Sequence, residues 1–131
     1  MINAYNLAGE ELNQNDYVTF NGYNFGGYRW CSQDNNSLTI TKTGTYEIEA
    51  VVNAQPSVAG QMQFNITRNS ANIPGGFIYL PGVATTTIEN GSAKVIVNAF
   101  AGTTFGLKNN TATNPVILPE QGTSITIKRV A

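Results

Sequence analysis

Apolar and polar residues alternate with a period of two along most of this chain. The cleanest run sets Tyr46, Ile48, Ala50, Val52 and Ala54 against Glu47, Glu49, Val51 and Asn53. Successive side chains of a strand point to opposite faces, so this run predicts a strand with one face on a core. Gln55-Pro56-Ser57 ends it. Met62, Phe64 and Ile66 alternate with Gln61, Gln63, Asn65 and Thr67 and predict a second half-buried strand, closed by a turn at Asn69-Ser70-Ala71-Asn72. Ala93, Val95, Val97 and Ala99 alternate with Lys94, Ile96, Asn98 and Phe100, and here Ile96 and Phe100 make the second face partly apolar. Shorter pieces read the same way: Val18 with Phe20, Leu38 with Ile40, Phe77-Ile78 with Leu80, residues 85–89, Phe105 with Leu107, Val116-Ile117-Leu118, and Ile125 with Ile127. Val130 is out of phase with that last pair, so either the chain end leaves the sheet or a bulge shifts its facing. Asn21-Gly22, Thr43-Gly44 and Asn90-Gly91 read as turns, the last as a hairpin between 85–89 and the strand that follows.

No stretch of about 11 residues or more holds the 3.6-residue helical period. Eight to ten short strands and no linker predict one all-β domain over residues 1–131, a β-sandwich or jelly roll, with a small up-and-down barrel as the structural alternative. At 131 residues, folding hides roughly two thirds of the unfolded surface, enough for one core.

Composition narrows the chemistry. The chain has no His, which removes His-based acid–base catalysis, the commonest zinc ligand and the serine–histidine triad. One Cys, Cys31, excludes an internal disulfide and is read as a buried inert thiol. Seven Lys plus Arg against eight Asp plus Glu, with charged residues at 11%, leave no basic footprint for nucleic acid. No window approaches the roughly 20 apolar residues of a membrane helix. Met1-Ile2-Asn3-Ala4-Tyr5 lacks the basic-then-apolar pattern of a signal peptide.

The apolar surplus points to self-association. Val51, Ile96 and Phe100 project away from the core series, and Tyr17, Phe20, Tyr23 and Phe25 add more rings than one thin core needs. Aromatic residues are enriched at interfaces, and symmetry counts one patch several times. These seven residues are the expected subunit interface.

The segments 40–48 (Ile-Thr-Lys-Thr-Gly-Thr-Tyr-Glu-Ile) and 124–131 (Ser-Ile-Thr-Ile-Lys-Arg-Val-Ala) resemble the third-strand and closing-strand signatures of the C1q/TNF-like jelly rolls. Ala4-Tyr5-Asn6, Asn15–Phe20, Asn35–Ile40 and Phe64–Asn69 extend the resemblance over nearly the whole chain. Within that superfamily the chain is most similar to the C-terminal head of the BclA-type collagen-like exosporium glycoproteins of Bacillus spores and their clostridial relatives. The resemblance implies a jelly roll of about ten antiparallel strands that forms a tight homotrimer. It implies the turn and core of the third strand for Gly44 and Tyr46. The chain departs from the pattern in having no Gly-x-y repeat, so no collagen triple helix forms.

Candidate site chemistry is sparse. Glu47 and Glu49 share one strand face about 7 Å apart, and paired carboxylates can hydrolyse glycosides, but a solvated strand face explains them. No catalytic residue is assigned, and the expectation is a protein without enzymatic activity. Asp16 with Asp34, or Glu10 with Glu11, are oxygen ligands of the kind calcium takes, yet no D-x-D-x-D-G loop is present; no metal and no cofactor are expected. Tyr23, Tyr28 and Trp30 are suited to stack on a sugar, with Asn24, Arg29 and Gln33 supplying hydrogen bonds. The leading expectation is a trimeric structural head of a spore-surface (exosporium) or fibre-like protein. The alternative is a carbohydrate- or receptor-binding (lectin or adhesin) module, such as that of a phage or viral fibre. Expected partners are other copies of itself and coat or fibre proteins or surface glycans, with no nucleic acid and no membrane, at an extracellular or particle-surface location.

Overall fold

The computed structural model describes residues 1–24, 31–34, 36–112, 114–117 and 122–131. Among these, twelve strands form two facing sheets: β1 (Ile2–Tyr5), β2 (Glu10–Glu11), β3 (Gly22–Asn24), β4 (Cys31–Asp34), β5 (Ser37–Ile40), β6 (Gly44–Pro56), β7 (Met62–Arg68), β8 (Ala71–Leu80), β9 (Glu89–Ala99), β10 (Thr104–Asn109), β11 (Pro115–Ile117) and β12 (Ser124–Arg129). The alternation around Tyr46 produces β6, the axis of the first sheet. Strand β9 pairs along one edge of β6 from Gly44 to Ala54. Strand β12 holds the other edge over Tyr46–Val51, and β11 continues that edge over Ala54–Pro56. Strands β1 and β3 extend the sheet beyond β12, and β2 pairs with β11. The second sheet runs β4-β5-β10-β7-β8, and among the described residues the strand pairings of both sheets are antiparallel. This is a jelly-roll sandwich.

The core lies between the sheets. Tyr46, Ile48, Ala50 and Val52 of β6 and Ile125 and Ile127 of β12 face Met62, Phe64 and Ile66 of β7, Leu38 and Ile40 of β5, and Phe105 and Leu107 of β10, all buried. Two buried polar residues tie segments to this frame. The Asn109 carboxamide donates to the Asn13 carbonyl at 3.0 Å and accepts from the Thr111 backbone N–H at 2.9 Å. The Asn65 carboxamide donates to the carbonyls of Ile66 and Ile73. It thereby holds an irregularity at which Asn65 and Thr67 of β7 pair with Phe77 and Asn72 of β8, so that 73–76 bulge out opposite Ile66.

Several turn expectations change. Asn69-Ser70 is a two-residue hairpin turn, with φ of 49° and 70° and Arg68 paired to Ala71, as the I′ geometry requires. Asn90-Gly91 is not a turn: both residues lie inside β9, opposite Asn53 and Val52, while 85–88 is loop. The glycine serves packing, because a Cβ there would stand 2.8 Å from a Leu80 methyl and 2.9 Å from an Ile78 methyl. Asn21-Gly22 likewise opens β3, and the Tyr5 ring lies across Gly22 where a side chain would be. Val130 follows β12 and is exposed, while its N–H still bonds the Thr45 carbonyl at 2.8 Å.

Gly82 combines φ of 64° with close approach to Gly60, whose N–H it accepts at 2.9 Å; a Cβ would collide with the Gly60 carbonyl. Gly102 has φ of 93° and open space around it. Gly102→Ala should therefore cost only the left-handed backbone strain, about 1–2 kcal/mol. Gly82→Ala should cost roughly 2 kcal/mol more, because a steric clash is added. Urea unfolding of the two variants checks the order; equal losses would contradict the close contact.

Candidate functional site

The outer face of the first sheet is built by the polar phase of its strands. On β9 it carries Ser92, Lys94, Ile96 and Asn98; on β6, Val51, Glu49, Glu47 and Thr45; on β12, Ser124, Thr126 and Lys128; on β1, Tyr5 and Asn3. The register sets Ile96 beside Glu47, Lys94 beside Glu49, and Ser92 beside Val51. Lys94 also reaches Glu47, with N to O at 3.7 Å. Lys128 lies opposite Glu47 on the other side. Two acids and two bases thus balance in the middle of the face. Ile96 is 64% exposed and Phe100, just past the end of β9, is 79% exposed. Phe100 walls a cleft of about 250 Å³ with Thr43, Gly44, Thr45 and Asn98. Strand β9 is one edge strand of this sheet, and β8 is one edge strand of the other.

The sequence-derived interface residues do not all fall on this face. Val51, half-buried, and Ile96 and Phe100, exposed, share it. Phe20 is fully buried in the subunit's own core and has no surface left for a neighbour. Tyr23 packs against the core from β3, and its hydroxyl donates to the Phe20 carbonyl. Its ring is held as an edge of the core instead of standing free as a stacking platform. Tyr17 bridges to Lys108 and so sits on the second sheet, away from Val51 and Ile96. Phe25, Tyr28, Arg29 and Trp30 lie outside the described residues, which takes most of the proposed sugar-stacking cluster with them.

From the sequence Phe77 is read only as part of an apolar strand piece with Ile78 and Leu80, and Tyr79 is not singled out. Phe77 and Tyr79 stand side by side on the outward phase of the edge strand β8, at 48% and 47% exposure, with ring centroids 6.4 Å apart. The signal was present: Ile78 and Leu80 face inward, so Phe77 and Tyr79 must face out.

Glu10 and Asp16 hold local structure. Glu10 accepts from the Asn6 carboxamide at 2.9 Å, the Thr19 N–H at 2.8 Å and the Thr19 hydroxyl at 3.1 Å, which fastens the 16–20 segment to the first sheet. Asp16 caps its own turn by accepting from the Asn13 N–H at 2.9 Å. Among the described residues no three His, Cys, Asp or Glu side chains converge.

No protein-family model and no curated protein matches the chain. Solved structures do match its fold. Murine APRIL at pH 5.0 superposes with a TM-score of 0.75 at 10% identity, covering 98% of both chains. The Eiger TNF of S. frugiperda gives 0.75 at 11% identity, covering 99% of this chain and 91% of its own. The globular domain of the zebrafish complement 1qA protein gives 0.74 at 8% identity, covering 99% and 96%. The chain therefore has the TNF/C1q-like jelly-roll fold. These matches overturn the expectation of a spore exosporium head, a collagen-stalk head or a phage fibre: the similarity runs to TNF-type and complement proteins, and nothing in it leads to a spore coat or virion.

Glu10→Ala should lower stability by about 1–2 kcal/mol, the scale of charge-assisted hydrogen bonds at a partly exposed site. The wild-type melting temperature should be the same in calcium chloride and in EDTA. A calcium-dependent rise that Glu10→Ala abolishes would instead make this carboxylate a metal ligand.

Proposed function

We propose that this chain is a non-enzymatic, extracellular binding module that works as a homotrimer and presents three copies of one surface to a partner protein. The observation that carries the reading is the outer face of the first sheet. A strand face on an isolated subunit should be polar, yet here Ile96 and Phe100 stand exposed at the β9 edge while the neighbouring charges cancel. A face without net charge can approach its own copies near a symmetry axis without repulsion. The fold shared with APRIL, Eiger TNF and the complement 1qA globular domain supports a recognition role over a purely mechanical one. The exposed Phe77 and Tyr79 pair adds aromatic contact area on the edge strand β8 of the other sheet.

Trimerisation gives such a module avidity: three linked sites can bind a clustered partner 10²–10⁴-fold more tightly than one, by the usual order of magnitude for multivalency. Burial of Ile96 and Phe100 in the assembly also couples folding to association.

Sedimentation equilibrium should return three times the 14.1 kDa subunit mass, with a melting temperature that rises with concentration. Ile96→Lys combined with Phe100→Lys alters only exposed side chains and should yield a folded single subunit. Screened against arrayed cell-surface and secreted ectodomains, the wild type should bind a member that the double variant binds at least roughly 100-fold more weakly. A wild-type protein that sediments as one subunit at micromolar concentration would overturn the assembly, and an ectodomain bound equally by both forms would overturn the avidity.

A further inference from the structure

The outer face of the second sheet holds a pocket of about 200 Å³ lined by Tyr17, Asn36, Ser37, Thr67, Ser70, Thr104, Phe105 and Gly106. Three features set it apart from a chance surface dent. Its floor is Gly106, opposite Thr67 in the β10–β7 pairing. A Cβ at Gly106 would stand 3.1 Å from the Tyr17 ring, 3.1 Å from the Asn36 carbonyl oxygen and 3.3 Å from the Thr67 hydroxyl, so the missing side chain is what leaves the hollow open. Gly106 is not in the left-handed region, and backbone conformation does not demand glycine there. Second, Thr67 is 1% exposed, and its hydroxyl has no hydrogen-bond partner among the described residues. A buried hydroxyl left unpaired costs free energy unless something else meets it. Third, the segment carrying Tyr17 is locked alongside β10 by main-chain pairing: the Val18 N–H bonds the Leu107 carbonyl, the Asn15 N–H the Asn109 carbonyl, and the Asn109 N–H the Asp16 carbonyl, each at 2.8 Å. The Tyr17 wall is therefore preformed.

The chemistry of the lining selects the ligand. Ser37, Thr67, Ser70 and Thr104 bring hydroxyl groups, that of Thr104 also donating to the Asn69 carboxamide oxygen at 3.3 Å, Asn36 brings its backbone carbonyl and Tyr17 an aromatic side; no Asp, Glu, Lys or Arg lines the pocket. Lys108 of β10 shares this face and pairs with Tyr17 but does not line the pocket, and Arg68 reaches away to the Asn98 carbonyl of the first sheet at 3.3 Å. A ring of hydroxyl donors and acceptors beside one aromatic side chain suits a neutral polyol that has both hydroxyls and a C–H face. The volume lies below the roughly 300–1,000 Å³ of drug-sized clefts and suits a single ring. We infer that this pocket binds a single neutral monosaccharide unit, with a sugar hydroxyl meeting the Thr67 hydroxyl and the sugar's C–H face against Tyr17. The site is on the sheet opposite the proposed subunit interface and does not depend on trimerisation.

The test is a TROSY-type amide titration of the full chain with D-glucose, D-galactose, D-mannose, L-fucose and N-acetyl-D-glucosamine, each alone. At least one sugar should give saturable shifts at Thr67, Ser70 and Thr104–Gly106. Gly106→Ala should abolish them by filling the floor. Thr67→Val keeps the shape and removes the hydroxyl; it should weaken binding about tenfold while leaving the melting temperature unchanged or higher, because the unpaired group is gone. That combination separates a ligand-binding hydroxyl from a structural one. The inference is overturned if none of the five sugars gives saturable shifts, if the shifts map to other residues, or if Gly106→Ala and Thr67→Val bind as the wild type does.

Discussion

The fold depends on the strict two-residue alternation of β6 combined with pairing along both of its edges. Thirteen residues of this strand carry β9 on one side and β12 followed by β11 on the other. A register slip of one residue would turn Tyr46, Ile48, Ala50, Val52 and Ala54 out to solvent and bring Glu47 and Glu49 into the core. Three strand partners would have to accept the same inversion. The register is therefore fixed by burial rather than by any one turn, and it decides which side chains reach the outer face. Val51, Glu47 and Glu49 are surface residues for the same reason that Tyr46 and Ile48 are core residues.

Alternation was legible wherever burial alone chose the facing. Strands β6, β7 and β12, and the inward sets of β5, β9 and β10, follow from the sequence with little error, and so does the jelly-roll class. The glycines were misread. Asn90-Gly91 and Asn21-Gly22 have the local composition of turns, but their glycines answer contacts from far along the chain, Ile78 and Leu80 in one case and Tyr5 in the other. A local rule cannot register a methyl group that arrives from another strand. Phe20 shows the converse error. Counted locally, it looked like one ring too many; in three dimensions the 16–20 segment folds over β10 and supplies the core with Val18 and Phe20.

The lineage implied by short motifs failed for a different physical reason. A strand ending in Thr-Gly before a Tyr-x-Ile alternation is what a turn into a half-buried strand needs, and a closing Ile-x-Ile strand is what the neighbouring position needs. Packing demands such residues of any sandwich with this topology. At 8–11% identity the animal TNF and complement folds share nearly the whole chain path with this protein, so segments of that kind report the architecture and carry little about descent. Function has to be argued from side chains that the architecture does not require.

By that criterion two features stand out, and they lie on opposite sheets. Neither Ile96 nor Phe100 contributes to the core, and both would be less costly to the isolated subunit as polar residues. Thr67 is their mirror image: a buried hydroxyl without a partner among the described residues, where valine would fit the same space. In each case the subunit carries a local disadvantage that nothing among the described residues offsets, and the proposed partners would supply the compensation from outside the chain. For an exposed apolar edge beside balanced charges, the complementary surface is a protein one, and a second copy satisfies it by symmetry. For a small neutral hollow lined with hydroxyls, a macromolecular surface is too large and an ion has no counter-charge, which leaves a compact neutral hydroxylated ring. The sandwich separates the two demands by its thickness, so a subunit whose first sheet is covered by neighbours would still offer the second sheet to solvent.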